Sequence, residues 1–180
     1  ARVYAPRDVL SDDVVDERIG GGETIAIGDS TIEVISTPGH TLEHVCFLTA
    51  DGDLFTGDTI LGVGTSAIFP PDGHMGDYMR TLGRLLALRP KRIFPAHGPV
   101  RDDAVELIRE YLGHRFERER QVLAAVAAGA STIPELRDRI YPELDPSLHD
   151  AAGVQLWAHL IKLVEDGRVV EEGAEYRTGK

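Results

Sequence analysis

The 180-residue chain is 42% apolar and 27% charged, enough to bury a core and too apolar for disorder to dominate. No apolar run approaches the roughly 20 residues of a membrane span. The N-terminus also lacks the basic-then-apolar pattern of a signal peptide, so a cytoplasmic protein with no membrane partner is expected.

In chain order, residues 24–36 alternate apolar and polar around Gly28-Asp29-Ser30, which predicts a β-hairpin. A second strand is predicted over 44–49, then a turn at Asp51-Gly52-Asp53 and a short strand at Leu54-Phe55-Thr56. The lone cysteine, Cys46, lies in that apolar run; it permits no intramolecular disulfide and reads as a small buried hydrophobe. From Gly76 the apolar residues Tyr78, Leu82, Leu85 and Leu86 fall on one helical face, predicting about three turns that end near Pro90. Arg92-Ile93-Phe94 reads as a buried strand running into Pro95-Ala96-His97-Gly98.

Beyond Asp102 the pattern turns helical. A long helix is predicted to about Ala128, pausing near Gly113 and stopping at Gly129. Ser131 or Thr132 with Glu135 and Pro134 marks a second helix start, and a third helix runs from about Ser147 to Glu165. Asp166-Gly167 and the residues around Gly173 predict a closing hairpin. Three helices and a hairpin are the order of a winged helix. The expected fold class is α+β, with domains at 1–113 and 114–180.

Three segments carry chemistry: Thr37-Pro38-Gly39-His40-Thr41 with His44 just beyond, Phe55-Thr56-Gly57-Asp58-Thr59, and Pro95-Ala96-His97-Gly98-Pro99. Each follows a predicted strand. Imidazole nitrogen and carboxylate oxygen are the ligands zinc takes in hydrolytic sites, and adjacent glycines let the backbone turn so that side chains converge. His74, His114, His149 and His159 have no partner at ligand spacing and are expected to be structural or exposed.

In this order, the three segments resemble the later metal motifs of the metallo-β-lactamase superfamily. That resemblance implies His40 on a first zinc, Asp58 bridging two metals as the residue on which catalysis turns, and His97 on a second zinc. It implies that His44 supports the loop by hydrogen bonding behind the ligands without itself ligating, and that Asp77 and Tyr78 begin a helix. Iron or manganese suits the same ligands. The family's first motif, His-x-His-x-Asp-His, normally lies well before the segment matching Val3-Tyr4-Ala5 and is absent. The chain also starts with alanine, and its only methionines are Met75 and Met79. The expectation is therefore the C-terminal half of a four-layer αββα fold with its upstream residues missing, poor metal affinity and no activity alone. Half a sandwich would expose an apolar sheet face and would dimerise or aggregate through it.

The stretches from Tyr111 to Leu123 and from Trp157 to Val169 resemble the β-lactamase-like protein 2 branch, whose hydrolase fold is joined to a winged-helix-like domain. The implied reaction is hydrolysis of a small-molecule thioester or ester. The alternatives are cleavage of single-stranded RNA and, from another class, a non-catalytic binding module. Nucleic acid is disfavoured by charge: residues 115–180 hold 9 Lys or Arg against 12 Asp or Glu, and the whole chain stands at −11. Arg115, Arg118 and Arg120 form a local stripe, but Glu117 and Glu119 interleave it as on a solvated helix face.

Overall fold

A computed structural model describes residues 2–6, 11 and 13–179. Strands β1 (Tyr4–Pro6) and β2 (Glu17–Ile19) form a small parallel pair. Five further strands make the main sheet in sequence order: β3 (Thr24–Ile27), β4 (Ser30–Ser36), β5 (Val45–Thr49), β6 (Asp53–Gly57) and β7 (Arg92–Pro95). The predicted hairpin is β3–β4, turned at Gly28, whose φ of 59° suits a glycine.

Pairing directions decide where the loops go. β4, β5 and β6 are successively antiparallel, and β7 runs parallel to β6. The C-terminal ends of β4, β6 and β7 therefore share one edge of the sheet with the start of β5. His40, His44, Asp58 and His97 all follow or precede strands at that edge.

Helix α1 (Met75–Leu88) lays Tyr78, Leu82 and Leu85, all fully buried, against Cys46, Leu54 and Ile93 of the sheet. It has 14 residues, about four turns rather than three. Each such apolar side chain contributes about 1.5–3 kcal/mol by leaving water. The N-terminus of α1 is capped by His74, whose Nδ1 accepts from the Asp77 amide, with Asp77 in the first turn as expected.

Helix α2 (Ala104–Ala127) is continuous for 24 residues, and the pause expected near Gly113 is absent. An exposed glycine costs a helix only about 1 kcal/mol. Two buried patches flanking that glycine fix the helix: Leu107, Ile108 and Tyr111 join the sheet core, whereas Val122, Ala125 and Val126 join a second core. That second core also holds Leu136 of α3 (Ile133–Ile140) and Leu156, Leu160 and Leu163 of α4 (His149–Glu165). Val169 and Tyr176 from the terminal hairpin, β8 (Val169–Glu172) and β9 (Glu175–Thr178), complete it. Thr132 and Glu135 form a capping box at α3.

The helices cover one face of the main sheet. On the other face, Ile19, Ile25 and Val34 make a small core, while Phe55 is 42% and Ile27 55% exposed. Phe55 stacks on Phe94 with ring centroids 4.9 Å apart, so the apolar face expected of a half-sandwich is present.

Candidate metal centre

The loop after β4 is pressed against α1. Gly39 has a φ of 138°, and a β-carbon there would lie 2.3 Å from Tyr78 Cα, so only glycine fits. Thr81 of α1 donates to the Pro38 carbonyl at 2.8 Å. His40, next in sequence, donates through Nδ1 to the carbonyl of Ala67 at 2.9 Å, which leaves Nε2 as the lone-pair nitrogen available to a metal.

His44 lies beneath this loop. Its Nδ1 is 2.8 Å from the Thr37 hydroxyl and 3.0 Å from the Thr59 hydroxyl, so it links the first loop to the second. Burial, then the neighbouring His40, pushes its pKa down to about 4, and the ring is neutral at pH 7. Gly57, at a φ of 51°, has no β-carbon because one would come within 2.7 Å of His44 Nε2.

Asp58 follows directly. Its carbonyl and that of Thr59 share the hydroxyl of the buried Ser66. Its carboxylate Oδ1 is buried without a hydrogen-bond partner, and it faces His97 Nε2 at 3.5 Å. A buried, unpartnered carboxylate oxygen is costly and is what a metal ligand looks like before the metal arrives. The His97 side chain is 74% exposed and its backbone is tied down, its carbonyl accepting from Gly62 at 2.8 Å.

Asp58 and His97 are thus brought together, and His40 joins them at the same sheet edge without closing on them. Among the described residues, no group of three or more His, Cys, Asp or Glu stands close enough to hold a metal. The donor set fits part of a metal shell: two imidazoles and one carboxylate with an open oxygen, short of what two ions require. Of the other histidines, His74 caps α1 and donates through Nε2 to Glu165, and His149 bonds the Leu144 carbonyl. His159 is fully buried. Cys46 is buried and its thiol is pushed up to about 11 by burial, as an inert hydrophobe would be.

Sequence reading missed the loop at Ser66 and Ala67, which supports Asp58 and His40 from below. Neither residue carries a motif. Tyr78, donating to the Thr59 carbonyl at 2.7 Å, and Tyr111, donating to the Gly64 carbonyl at 2.9 Å, hold the same loop. No helix among the described residues is long and apolar enough to cross a membrane.

Residues 2–97 match the Metallo-beta-lactamase superfamily, and residues 132–178 match the Beta-lactamase associated winged helix domain. A beta-lactamase-like protein 2 homolog of Drosophila melanogaster is 36% identical, over 78% of this chain and 48% of its own length. An atrochrysone carboxyl ACP thioesterase of Cryptosporiopsis is 30% identical, over 92% of this chain and 54% of its own. A crystal structure of a beta-lactamase domain protein from Burkholderia ambifaria superposes with a TM-score of 0.78 at 26% identity, covering 90% of this chain and 52% of that one. The chain spans about half the length of the curated relatives it matches. It belongs to the metallo-β-lactamase superfamily, and behind the sheet it carries the winged helix domain associated with that family.

Proposed function

We propose that this chain supplies the His40, Asp58 and His97 side of a two-metal hydrolytic centre, zinc being the expected ion, acting on a small-molecule thioester. The buried, unpartnered Asp58 Oδ1 opposite His97 carries the reading. When bound, the metal supplies Lewis acidity and lowers the pKa of water towards about 7. Asp58 would hold it through that open oxygen, and His40 would hold it through Nε2, its other nitrogen being spent on Ala67. His44, neutral and hydrogen-bonded to both loops, keeps His40 and Asp58 in register.

A thioester is favoured over RNA on two grounds. One relative is named as an acyl carrier protein thioesterase. Four arginines of the helical region, moreover, are already paired with carboxylates rather than free for a phosphate backbone. Arg120 pairs with Glu117, Arg137 with Asp138, Arg168 with Glu119 and Arg177 with Glu172, while Arg115 is buried.

Elemental analysis of the chain, beside a version that also carries a His-x-His-x-Asp-His segment upstream, tests the centre. The expected result is about two metals per chain in the longer version only, with turnover of an acyl-N-acetylcysteamine thioester that EDTA and Asp58→Asn abolish. Cleavage of single-stranded RNA without thioester turnover would overturn the substrate, and metal retained by Asp58→Asn would overturn the site.

A further inference from the structure

A cavity of about 240 Å³ lies between the 65–67 loop, α2 and α4, lined by Thr65, His114, Arg115, Arg118, Gln155 and His159 among others. It is several times the ~30 Å³ that one water occupies in the liquid. Its described lining contains no carboxylate.

Two of the lining groups are buried and incompletely bonded. His159 is fully buried, and neither ring nitrogen has a hydrogen-bond partner. Arg115, 3% exposed, gives one amino group to the Ser66 carbonyl, while its Nε has no partner. Buried polar groups are nearly always satisfied, so orphans that line one cavity point to something that fills it.

The arginines here also differ from most of those elsewhere in the helical region, Arg139 being the exception in that it gives Nη1 to the Ala128 carbonyl and forms no salt bridge among the described residues. Arg115 lies 5.2 Å from the centre of the Tyr78 ring and Arg118 lies 4.1 Å from that of Tyr141, with Arg118 also bonded to Gln121. Neither forms a salt bridge with a carboxylate among the described residues, whereas Arg120, Arg137, Arg168 and Arg177 all do. Two guanidinium groups with no counter-charge beside a cavity make a local positive potential in a chain of net charge −11.

We propose that this cavity is an oxyanion site, taking a carboxylate or phosphate group against Arg115 and Arg118 with one ring N–H of His159 as a further donor. The chemistry is that of charge-assisted hydrogen bonding to a planar guanidinium fork. His159 suits the role as a neutral donor, since burial, and next the charges of Arg115 and Arg118, push its pKa down to about 3. Ser66 and Ala67, which wall the cavity, are also the residues that hold Asp58 and His40. An anion bound here would therefore lie directly behind the loop of the proposed metal centre.

Thermal unfolding of the chain in inorganic phosphate and in acetate, against chloride at equal ionic strength, tests the site, with ¹⁵N-histidine spectra recorded on the same samples. At about ten times its Kd, either anion is expected to raise Tm by about 3–6 °C and to shift the His159 resonances. Arg118→Gln, a part-exposed position whose loss leaves the cores intact, should remove both effects, and His159→Phe, which removes the ring N–H at nearly constant volume, should remove the Tm rise. No shift beyond chloride, or a shift retained in both variants, would overturn the proposal. Two sources of the group are then separable in the version that carries the upstream His-x-His-x-Asp-His segment: phosphate that raises KM for the acyl substrate at constant kcat marks the acidic end of that substrate. Bound phosphate that leaves the kinetics unchanged marks a free anion, and either result supports the site.

Discussion

The backbone carbonyl of Asp58 is held by the hydroxyl of Ser66, eight residues further on and almost wholly buried. The same hydroxyl serves the Thr59 carbonyl at 2.9 Å, so one side chain fixes the turn that presents the carboxylate. Ser66→Ala should leave two buried carbonyls short of a donor and cost about 1–3 kcal/mol of stability. Zinc affinity of a metal-loaded form should fall by about 10–100-fold, as for other loss of support behind a ligand. Competition with a chelator measures it, and unchanged affinity would mean that the turn holds itself.

Asp58→Asn should behave in the opposite way. The buried Oδ1 has no hydrogen bond to lose, and the side chain as a whole is 39% exposed, so the amide strands nothing. The metal-free variant should melt within about 2–4 °C of the metal-free parent, a shift of ~1 kcal/mol or less at this size. Its metal uptake should be lost. A large loss of metal-free stability would show that Asp58 is a structural residue.

The β3–β4 hairpin and the face of α1 were legible because their apolar residues repeat at 2.0 and 3.6 residues. The segments holding His40, Asp58 and His97 stood out through the resemblance of the three, in that order, to the later metal motifs of the superfamily, each being weak evidence alone. The β1–β2 pair was not legible: each strand has three residues, and their parallel pairing spans a chain segment with no periodicity. The continuity of α2 was hidden by Gly113, since the contacts that override it come from residues far away in sequence, including Met75 and Tyr78 on one side and Leu160 on the other. Support of His40 by Ala67 is a side-chain bond to a backbone carbonyl 27 residues on, to which the identity of Ala67 gives no clue.

Stability should fall with acid in a window set by histidines. The pKa of His159 is depressed to about 3 by burial and by Arg115, Arg118, Lys162 and His114, and that of His44 to about 4. The unfolded chain therefore binds protons at these sites below about pH 6.5 while the folded chain does not, and protonation favours unfolding. Full stability is present above pH 6.5. From there down to about pH 4, each histidine should remove up to about 1.4 kcal/mol per pH unit. Urea midpoints between pH 7.5 and 4.5 measure the slope, and His159→Gln should flatten it. An identical slope in that variant would mean that His159 is already hydrated and free to titrate.

Glu119 joins α2 to the last turn of α4 and to the residue before β8. It is 6% exposed and receives Lys162 at 2.7 Å and Arg168 at 3.2 Å. Removing the acid alone, as in Glu119→Ala, leaves the mostly buried Lys162 ammonium with Asp166, 2.6 Å away and 41% exposed, as its remaining carboxylate, and should cost about 1–3 kcal/mol. Replacing Glu119 by Leu together with Lys162 by Met should cost less, because no buried charge is left and the partners released, Asp166 and Arg168, are both more than two-fifths exposed. Chemical denaturation of the two variants measures the difference. Equal losses would assign the effect to packing.

The apolar face of the main sheet should make the 180-residue chain self-associate. Phe55 and Ile27 are more than two-fifths exposed, and Phe55 is stacked on Phe94 beside Phe47, its cross-strand partner. Contiguous exposed aromatic surface of this kind is uncommon on a stable monomer. Sedimentation velocity should show a weight-average mass that rises with protein concentration. Phe55→Lys places a charge at the centre of that face without touching the helical cores on the other side, so it should return the chain to a monomer with an unchanged circular dichroism spectrum. If the parent chain is already monomeric at high concentration, Phe55 and Phe94 must be shielded within the chain itself. The same variant would then lower stability instead of changing mass.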